Sequence, residues 1–402
     1  MHARRLAYPL RFGAAGLAGF LGLLTVAQPA FGAGQFTTGD LVIDEALGTS
    51  SSSTAISLVD YSTSGVPSGF AVNLPTTASG GNFPLTDSGK ALNDGELSNS
   101  ADGQSIIVTG YDEGTGSSSV TSSSVPRTVG IVTSSGTVDT TTALADTNEG
   151  NNFRSAISST YPPGNIYTAG KAGLGFTTDG GTSDTFLDST DSVDDLQIYN
   201  GQLYMSDGSN IYQVGTGLPT SGTPTLTPLL TGANLPAHFG PAQFAFTTLG
   251  STPGPNTLYV ADGSNGATSG DPNAVEKYSL ESGVWTATGS VTVPQAIGLA
   301  IKLVGGTVDI YATGALTDTS GNNTVLYGFS DTSGFGGTLT GSATSLATAP
   351  SGDDFHGLAW APPAPAAESP EVPLALALPV VAGVLLGGAY LLVGRRRRRA
   401  AA

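Results

Sequence analysis

The clearest potential for chemistry lies in oxygen donors gathered in two short stretches. Asp262-Gly-Ser-Asn265 through Asp271-Pro-Asn273 brings several carboxylate and amide oxygens together, and Asp207-Gly-Ser-Asn210 repeats its opening. Calcium takes roughly six to eight oxygens and tolerates loop geometry, so Asp207, Asp262, Asp271 and Asn273 are the candidate ligands of a calcium ion. Asp-Gly is also a strong hairpin signal, and turn chemistry is the simpler account of the same residues. Other chemistry is sparse. His2 lies in the leading segment, and His238 and His356 are too few and too far apart in sequence for a metal triad. His356 is expected to be a satisfied structural histidine. With no cysteine, disulfides, zinc–thiolate centres and thiol nucleophiles are excluded. Serine is abundant, yet no Gly-x-Ser-x-Gly elbow occurs, and no catalytic residue is assigned.

The elements that would position these residues are short strands of β-branched and aromatic residues, punctuated by Gly, Asp and Ser turns. One strand type recurs as Gln104 to Gly110, Asn165 to Gly170, Gln202 to Gly208, Thr257 to Gly263 and Val308 to Gly314. An apolar strand precedes most copies, at Phe153 to Ser158, Val193 to Tyr199, Phe239 to Thr247 and Ala296 to Leu303. A third strand follows each copy, and a looser fourth comes after some. Self-similarity at this period in an all-β chain is the signature of propeller blades. Tyr167, Tyr204, Tyr259 and Tyr311 share one position of the repeat and read as core packing. Five blades are accounted for in this way. The sixth is expected to combine Asp40 to Asp44, Ala55 to Asp60 and Phe70 to Leu74 with the closing strand Phe355-His-Gly-Leu-Ala-Trp-Ala361, which removes the exposed edges. The fold class is therefore an all-β, six-bladed propeller closed by its two ends, with seven blades as the alternative.

The strand–Asp–Gly repeats and the closing strand resemble extracellular bacterial propellers of the broad NHL-like, six-bladed type. Propellers of this architecture that hold calcium in the central channel act as lactonases or phosphotriesterases through inward Glu, Asn and Asp. The resemblance implies that a comparable set here comes from Glu96, Asn152, Asp194 and Asp195, although no spacing singles them out.

In an up-and-down propeller, the loops joining second to third strands and successive blades emerge on one face. Here these are the long ones, among them Ala46 to Thr54, Thr76 to Gly95 and Tyr111 to Val125, whereas the other face receives tight turns such as Asn200-Gly201. Loops longer than connection demands usually carry function. The elaborated face is also acidic, with Asp87, Asp94, Asp112, Glu113, Asp191, Asp207, Asp262, Asp353 and Asp354 among its residues.

The chain ends read as export and anchoring signals. Arg4, Arg5 and Arg11 precede an apolar run, Phe12 to Ala27, and small residues that place cleavage after Gly32. Leu374 to Val393 is uncharged and long enough to cross a bilayer as a helix. Arg395, Arg396, Arg397, Arg398 and Arg399 follow it and should stay cytoplasmic, which puts the propeller outside in type I topology. A proline-rich stalk precedes the span. The order Pro370-Glu371-Val372-Pro373, apolar helix and arginine cluster is similar to the PEP-CTERM sorting signals processed by exosortase-type transpeptidases. That resemblance implies C-terminal processing, with a plain membrane anchor as the alternative. The resulting organisation is a signal peptide (1–32), propeller (33–361), stalk and sorting motif (362–373), transmembrane helix (374–393) and cytoplasmic tail (394–402).

Outside the two ends only six Lys and Arg remain against 31 Asp and Glu. Such a chain repels nucleic acid, whose binding depends on cationic side chains. The sequence therefore reads first as a surface module for recognition, adhesion or matrix contact, with a glycan or protein as ligand. A calcium-dependent hydrolase of the lactonase or phosphoesterase type, working in the channel, and a structural coat protein are the alternatives. The cofactor is accordingly none, or calcium.

Overall fold

The computed structural model describes residues 34–145, 150–251, 254–263, 273–315 and 324–365. They belong to one compact unit, Ala33–Ala366. Asp271, Pro370 to Pro373, the apolar stretch and Arg395 to Arg399 lie outside the described residues.

Six four-stranded antiparallel sheets account for nearly all the regular structure. Inner to outer, blade 1 is Ser98–Asn99, Ser105–Tyr111, Arg127–Thr133 and Val138–Leu144, and blade 2 is Phe153–Ser158, Asn165–Gly170, Gly173–Thr178 and Thr185–Asp188. Blade 3 is Val193–Tyr199, Gln202–Asp207, Ile211–Val214 and Leu226–Pro228. Blade 4 is Pro241–Thr247, Thr257–Asp262, Ala274–Glu281 and Val284–Thr292. Blade 5 is Leu299–Val304, Thr307–Ala315, Thr324–Asp331 and Thr344–Thr348. Blade 6 closes the ring from both ends of the unit, with Asp354–Trp360 innermost and then Leu41–Ala46, Ile56–Tyr61 and Pro67–Asn73. Trp360 pairs with Leu41 and Asp354 with Ala46. Each inner strand packs on those of both neighbouring blades, so the ring is complete with six blades and the seven-bladed alternative falls.

Local chemistry explains the blades. Tight turns at Asn200-Gly201, Ser282-Gly283 and Gly305-Gly306 have positive φ at both residues, the geometry whose twist matches a hairpin. Second strands such as Leu41–Ala46 and Thr257–Asp262 are buried along their whole length because a neighbouring blade covers each face. The core therefore lies between blades: Tyr259 and Val291 of blade 4 pack with Val308 and Ile310 of blade 5, and Leu41 and Ile43 of blade 6 pack with Ala300 and Leu326. Tyr167, Tyr204 and Tyr259 are buried in this packing, and the hydroxyl of Tyr259 donates to Asp331 at 2.6 Å.

The inner strand of blade 1 is only two residues long because the chain ahead of it does other work. Within the long connection from blade 6 to blade 1, Asp87–Ser88 forms a small two-stranded sheet with Ser53–Thr54. The stretch that follows crosses the mouth of the channel.

Candidate functional site

All inner strands run from one face of the ring to the other, and their starting ends enclose a polar chamber. Glu96 lies just ahead of the first inner strand, and Asn152 and Arg154 lie at the start of the second. Asp194 and Asp195 belong to the third, Gln243 to the fourth, and Asp354 and His356 to the sixth. Glu96, Asp195, Asp354 and His356 have no exposed surface. The four residues that the family resemblance pointed to, Glu96, Asn152, Asp194 and Asp195, therefore occupy neighbouring inner-strand starts.

The segment from Asp87 to Glu96 roofs this chamber by reaching every blade. Asp87 Oδ2 lies 2.9 Å from Nδ1 of His356 in blade 6. Asp94 accepts hydrogen bonds from Tyr111 of blade 1 (2.6 Å) and from Asn152 at the start of blade 2 (2.8 Å). Asn93 hydrogen-bonds Asp194 of blade 3, and Lys90 to Asn93 line a cavity of about 220 Å³ with Gly263, Gln295 and Ile297 of blades 4 and 5. Sequence reasoning treated this stretch as a loop of the elaborated face. Its inward course could not be read, because Asp and Asn favour turns whichever way the loop folds.

The electrostatics are those of acids held away from water. Burial, reinforced by Asp195 and Asp194, raises the Glu96 carboxyl well above its usual range, and neither of its oxygens has a hydrogen-bond partner. Asp44 is also raised by burial, and both its oxygens lack partners. Burial lifts Asp195 to about 7 even though Ser155, Gln197 and the Phe244 amide donate to it. Asp94 reaches about 7 through burial and the nearby Asp87. Asp194 is held to about 6, because burial is partly offset by Arg154, whose Nη1 lies 2.5 Å from its Oδ1. For His356, burial favours the neutral ring, but the hydrogen bond to Asp87 and the charges of Asp87, Asp44 and Asp354 win and raise it to about 9.

Gln243 floors the chamber. It donates to the Leu97 carbonyl at 2.7 Å and accepts from the Leu299 amide at 2.7 Å, bridging the channel. Beyond it, a second cavity of about 210 Å³ opens on the opposite face between Ile157, Tyr199, Phe246, Ile301 and Trp360.

The loop candidates for calcium occupy different surroundings. Asp207 Oδ1 accepts from the Ser209 amide, the Ser209 hydroxyl and the Asn210 amide, an Asx-type turn. Asp262 accepts from the Gly240 amide at 2.8 Å, and Asn273 accepts from the Gln295 amide at 3.0 Å. Among the described residues no three His, Asp or Glu side chains are arranged to hold a metal ion. The acidic face also differs from expectation: Asp87, Asp94, Asp207, Asp262 and Asp354 are buried. Their carboxylates cap turns or enter the channel network, where backbone and side-chain donors replace water.

The fold and the chamber define a six-bladed β-propeller with a roofed polar channel. Among solved structures, the chain is similar to one from the nidogen–laminin complex, at 11% identity and a TM-score of 0.46 over 80% of this chain and 98% of that one. A candidate 6-phosphogluconolactonase of Bacteroides fragilis gives 14% identity and a TM-score of 0.44, over 74% of this chain and 80% of that one. A gluconolactonase of Xanthomonas campestris gives 14% identity and 0.36, over 79% and 96%. No protein-family model and no curated protein matches the sequence. Likenesses this distant carry no argument about activity.

Proposed function

We propose that the chamber at the strand starts is the working site of a hydrolase that acts on a small lactone or phosphoester, with calcium as its cofactor. The observation that carries this reading is Glu96, a fully buried carboxyl with neither oxygen partnered, beside Asp194 and Asp195. Burying an ionisable group without a partner is costly, so such a group is kept either protonated or neutralised by a cation. The donors around it are oxygens, which suit a hard ion, and Glu96 with Asp194 and Asp195 would hold one. Binding has to draw these carboxylates together and compete with Arg154 for Asp194. A cation there would polarise the carbonyl or phosphoryl oxygen of the substrate.

The chain's own groups supply the remaining chemistry. Asp94, lifted to about 7 and outside the ligand set, can exchange a proton near neutral pH, as a general acid or base must. Arg154 offers a fixed positive charge for a developing oxyanion, and the segment from Asp87 to Glu96 lies over these groups. Burial of five of the nine acids named for the elaborated face weakens the charge argument for the recognition reading, which keeps Asp112, Glu113, Asp191 and Asp353.

The test is a calcium titration of wild type and E96Q, following melting temperature and bound metal together, with a panel of lactones and phosphoesters assayed with and without the ion. Wild type is expected to bind calcium, gain stability and turn over one substrate class, and E96Q to do none of these. No binding at millimolar calcium together with no turnover in the panel would end this reading.

A further inference from the structure

We propose that the face opposite the chamber roof rests on a lipid surface, with an apolar arc on blades 4, 5 and 6 seated in it. This rests on reading Leu374 to Val393 as a bilayer span and is independent of the channel chemistry. Nine large apolar side chains are exposed among the described residues. Six of them stand at or beside connections on this one face. Val66 follows the third strand of blade 6, Val284 opens the last strand of blade 4, and Leu303 and Val304 end the inner strand of blade 5. Phe335 follows the third strand of blade 5, and Tyr161 lies between the first two strands of blade 2. Val66 is 61% exposed and Val304 50%, exposures that a soluble surface has no reason to concentrate on one side.

Five of the six fall on three adjacent blades whose connections interlock. Gly65 sits so close to Leu346 of blade 5 that a Cβ there would come within 2.5 Å of its carbonyl oxygen. The Phe335 loop is tied to blade 4 by Lys277, whose Nζ donates to Ser333 Oγ and to the carbonyls of Gly334 and Gly337. The apolar side chains therefore form an arc held by structure, with Lys302 over Trp360 beside it. A basic group over an aromatic ring, here the Lys302 ammonium 5.1 Å from the Trp360 ring centroid, suits the boundary between lipid and water.

Chain direction identifies lipid as the occupant. Both ends of the propeller leave from this face: the Ala361 amide donates to the Asp40 carbonyl, and the Ala364 amide reaches Thr38. Eight residues separate Pro365 from the uncharged stretch at Leu374, a reach of at most about 30 Å. A tether that short holds this face towards whatever surface the stretch enters, and apolar side chains at a bilayer boundary gain by partial burial. Glu281 and Asp309 share the face, so a zwitterionic surface fits better than an anionic one.

Because the chain has no cysteine, single labels report cleanly. Full-length Val304→Cys, Phe335→Cys and Leu235→Cys, the last on the roofed face, are labelled with bimane and reconstituted into phosphatidylcholine vesicles containing nitroxide-headgroup lipid. Labels at 304 and 335 are expected to be quenched several-fold more than the label at 235. Equal quenching in protein that floats with the vesicles overturns the proposal while leaving the span intact. Failure to float overturns both, and neither outcome touches the calcium and hydrolysis assays.

Discussion

Replacing Asp195 with Asn removes one titrating proton from the chamber while keeping its hydrogen bonds. Asp195 Oδ2 accepts from the Gln197 side chain and the Phe244 amide, both at 3.3 Å, Oδ1 accepts from the Ser155 hydroxyl at 3.0 Å, and the Leu196 amide also donates to the carboxyl. An asparagine with its oxygen at the Oδ2 position keeps the Gln197 and Phe244 donors. Its NH₂ then meets a hydroxyl that can rotate to accept. In the folded protein burial lifts the carboxyl from 3.8 to about 7. Between those values the folded chain holds a proton that the unfolded chain has released, so stability is greatest at low pH and falls as pH rises through the window. The slope for one such proton is about 1.4 kcal/mol per pH unit, which amounts to about 2 kcal/mol lost between about pH 5 and pH 7. Urea unfolding of wild type and D195N, measured in half-unit pH steps without calcium, should show the variant losing less stability by that amount. Parallel profiles for the two proteins would refute the assignment of a buried, neutral Asp195.

Other consequences can be measured separately. E96Q, with no charge left to bury, should be more stable than wild type above neutral pH by about 1–3 kcal/mol in calcium-free urea unfolding; equal stability would mean that Glu96 is not a buried, unpartnered acid. The His356 ring should remain protonated at pH 8 by NMR, and D87N, which removes the carboxylate hydrogen bond and the first of the charges that oppose burial, should lower its titration; a ring that is already neutral at pH 7 contradicts the Asp87 pair. Because that folded pKa is raised from 6.5 to about 9, the contribution of His356 to stability is complete below 6.5 and lost as pH climbs through 9, the same direction as for Asp195. Lys277→Met should cost about 3–5 kcal/mol in urea unfolding by stranding Asp331, which lies 2.7 Å from Nζ with both side chains buried. Gly95→Ala should destabilise the roof, because φ is +66° and a Cβ would stand 2.4 Å from Asp87 Oδ2 and 2.7 Å from Asp44 Oδ2; unchanged exchange protection of the roof amides would count against that packing.

The blades were legible in the sequence because each second strand carries its own signature and each hairpin its own turn chemistry. Leu203-Tyr204 and Leu258-Tyr259 fall at one repeat position and pack alike, and the pairing of Phe355 to Ala361 with the first strand follows from an inner strand otherwise left without a blade. The channel set was only partly legible. Asp194 and Asp195 lie within a recognisable strand, and Asn152 immediately precedes one. Glu96 precedes a strand of two residues, too short for any periodic signal. Asp44 and Asp87 were invisible as partners: one sits in a second strand and the other in a loop, and only the folding of that loop over the channel brings both within reach of Gly95. Acid count likewise misled about surface charge, since composition cannot separate a carboxylate facing water from one capping a turn or buried in a chamber.

Protons and a cation compete for the same carboxylates in this chamber, which joins its stability to its proposed chemistry. At low pH, protonated Glu96, Asp94 and Asp195 cost little to bury and the roof can close over them. As pH rises, each acid must lose its proton inside the ring, admit water, or gain a positive partner. Arg154 is already committed to Asp194, and the His356 charge is matched by Asp87. An added divalent ion that binds only the folded state would restore stability in proportion to its occupancy. The protection it gives should therefore grow with pH across the range where Asp195 and Asp94 titrate. A calcium effect on melting temperature that is the same at pH 5 and pH 8 would locate the ion elsewhere, for instance in the exposed turns.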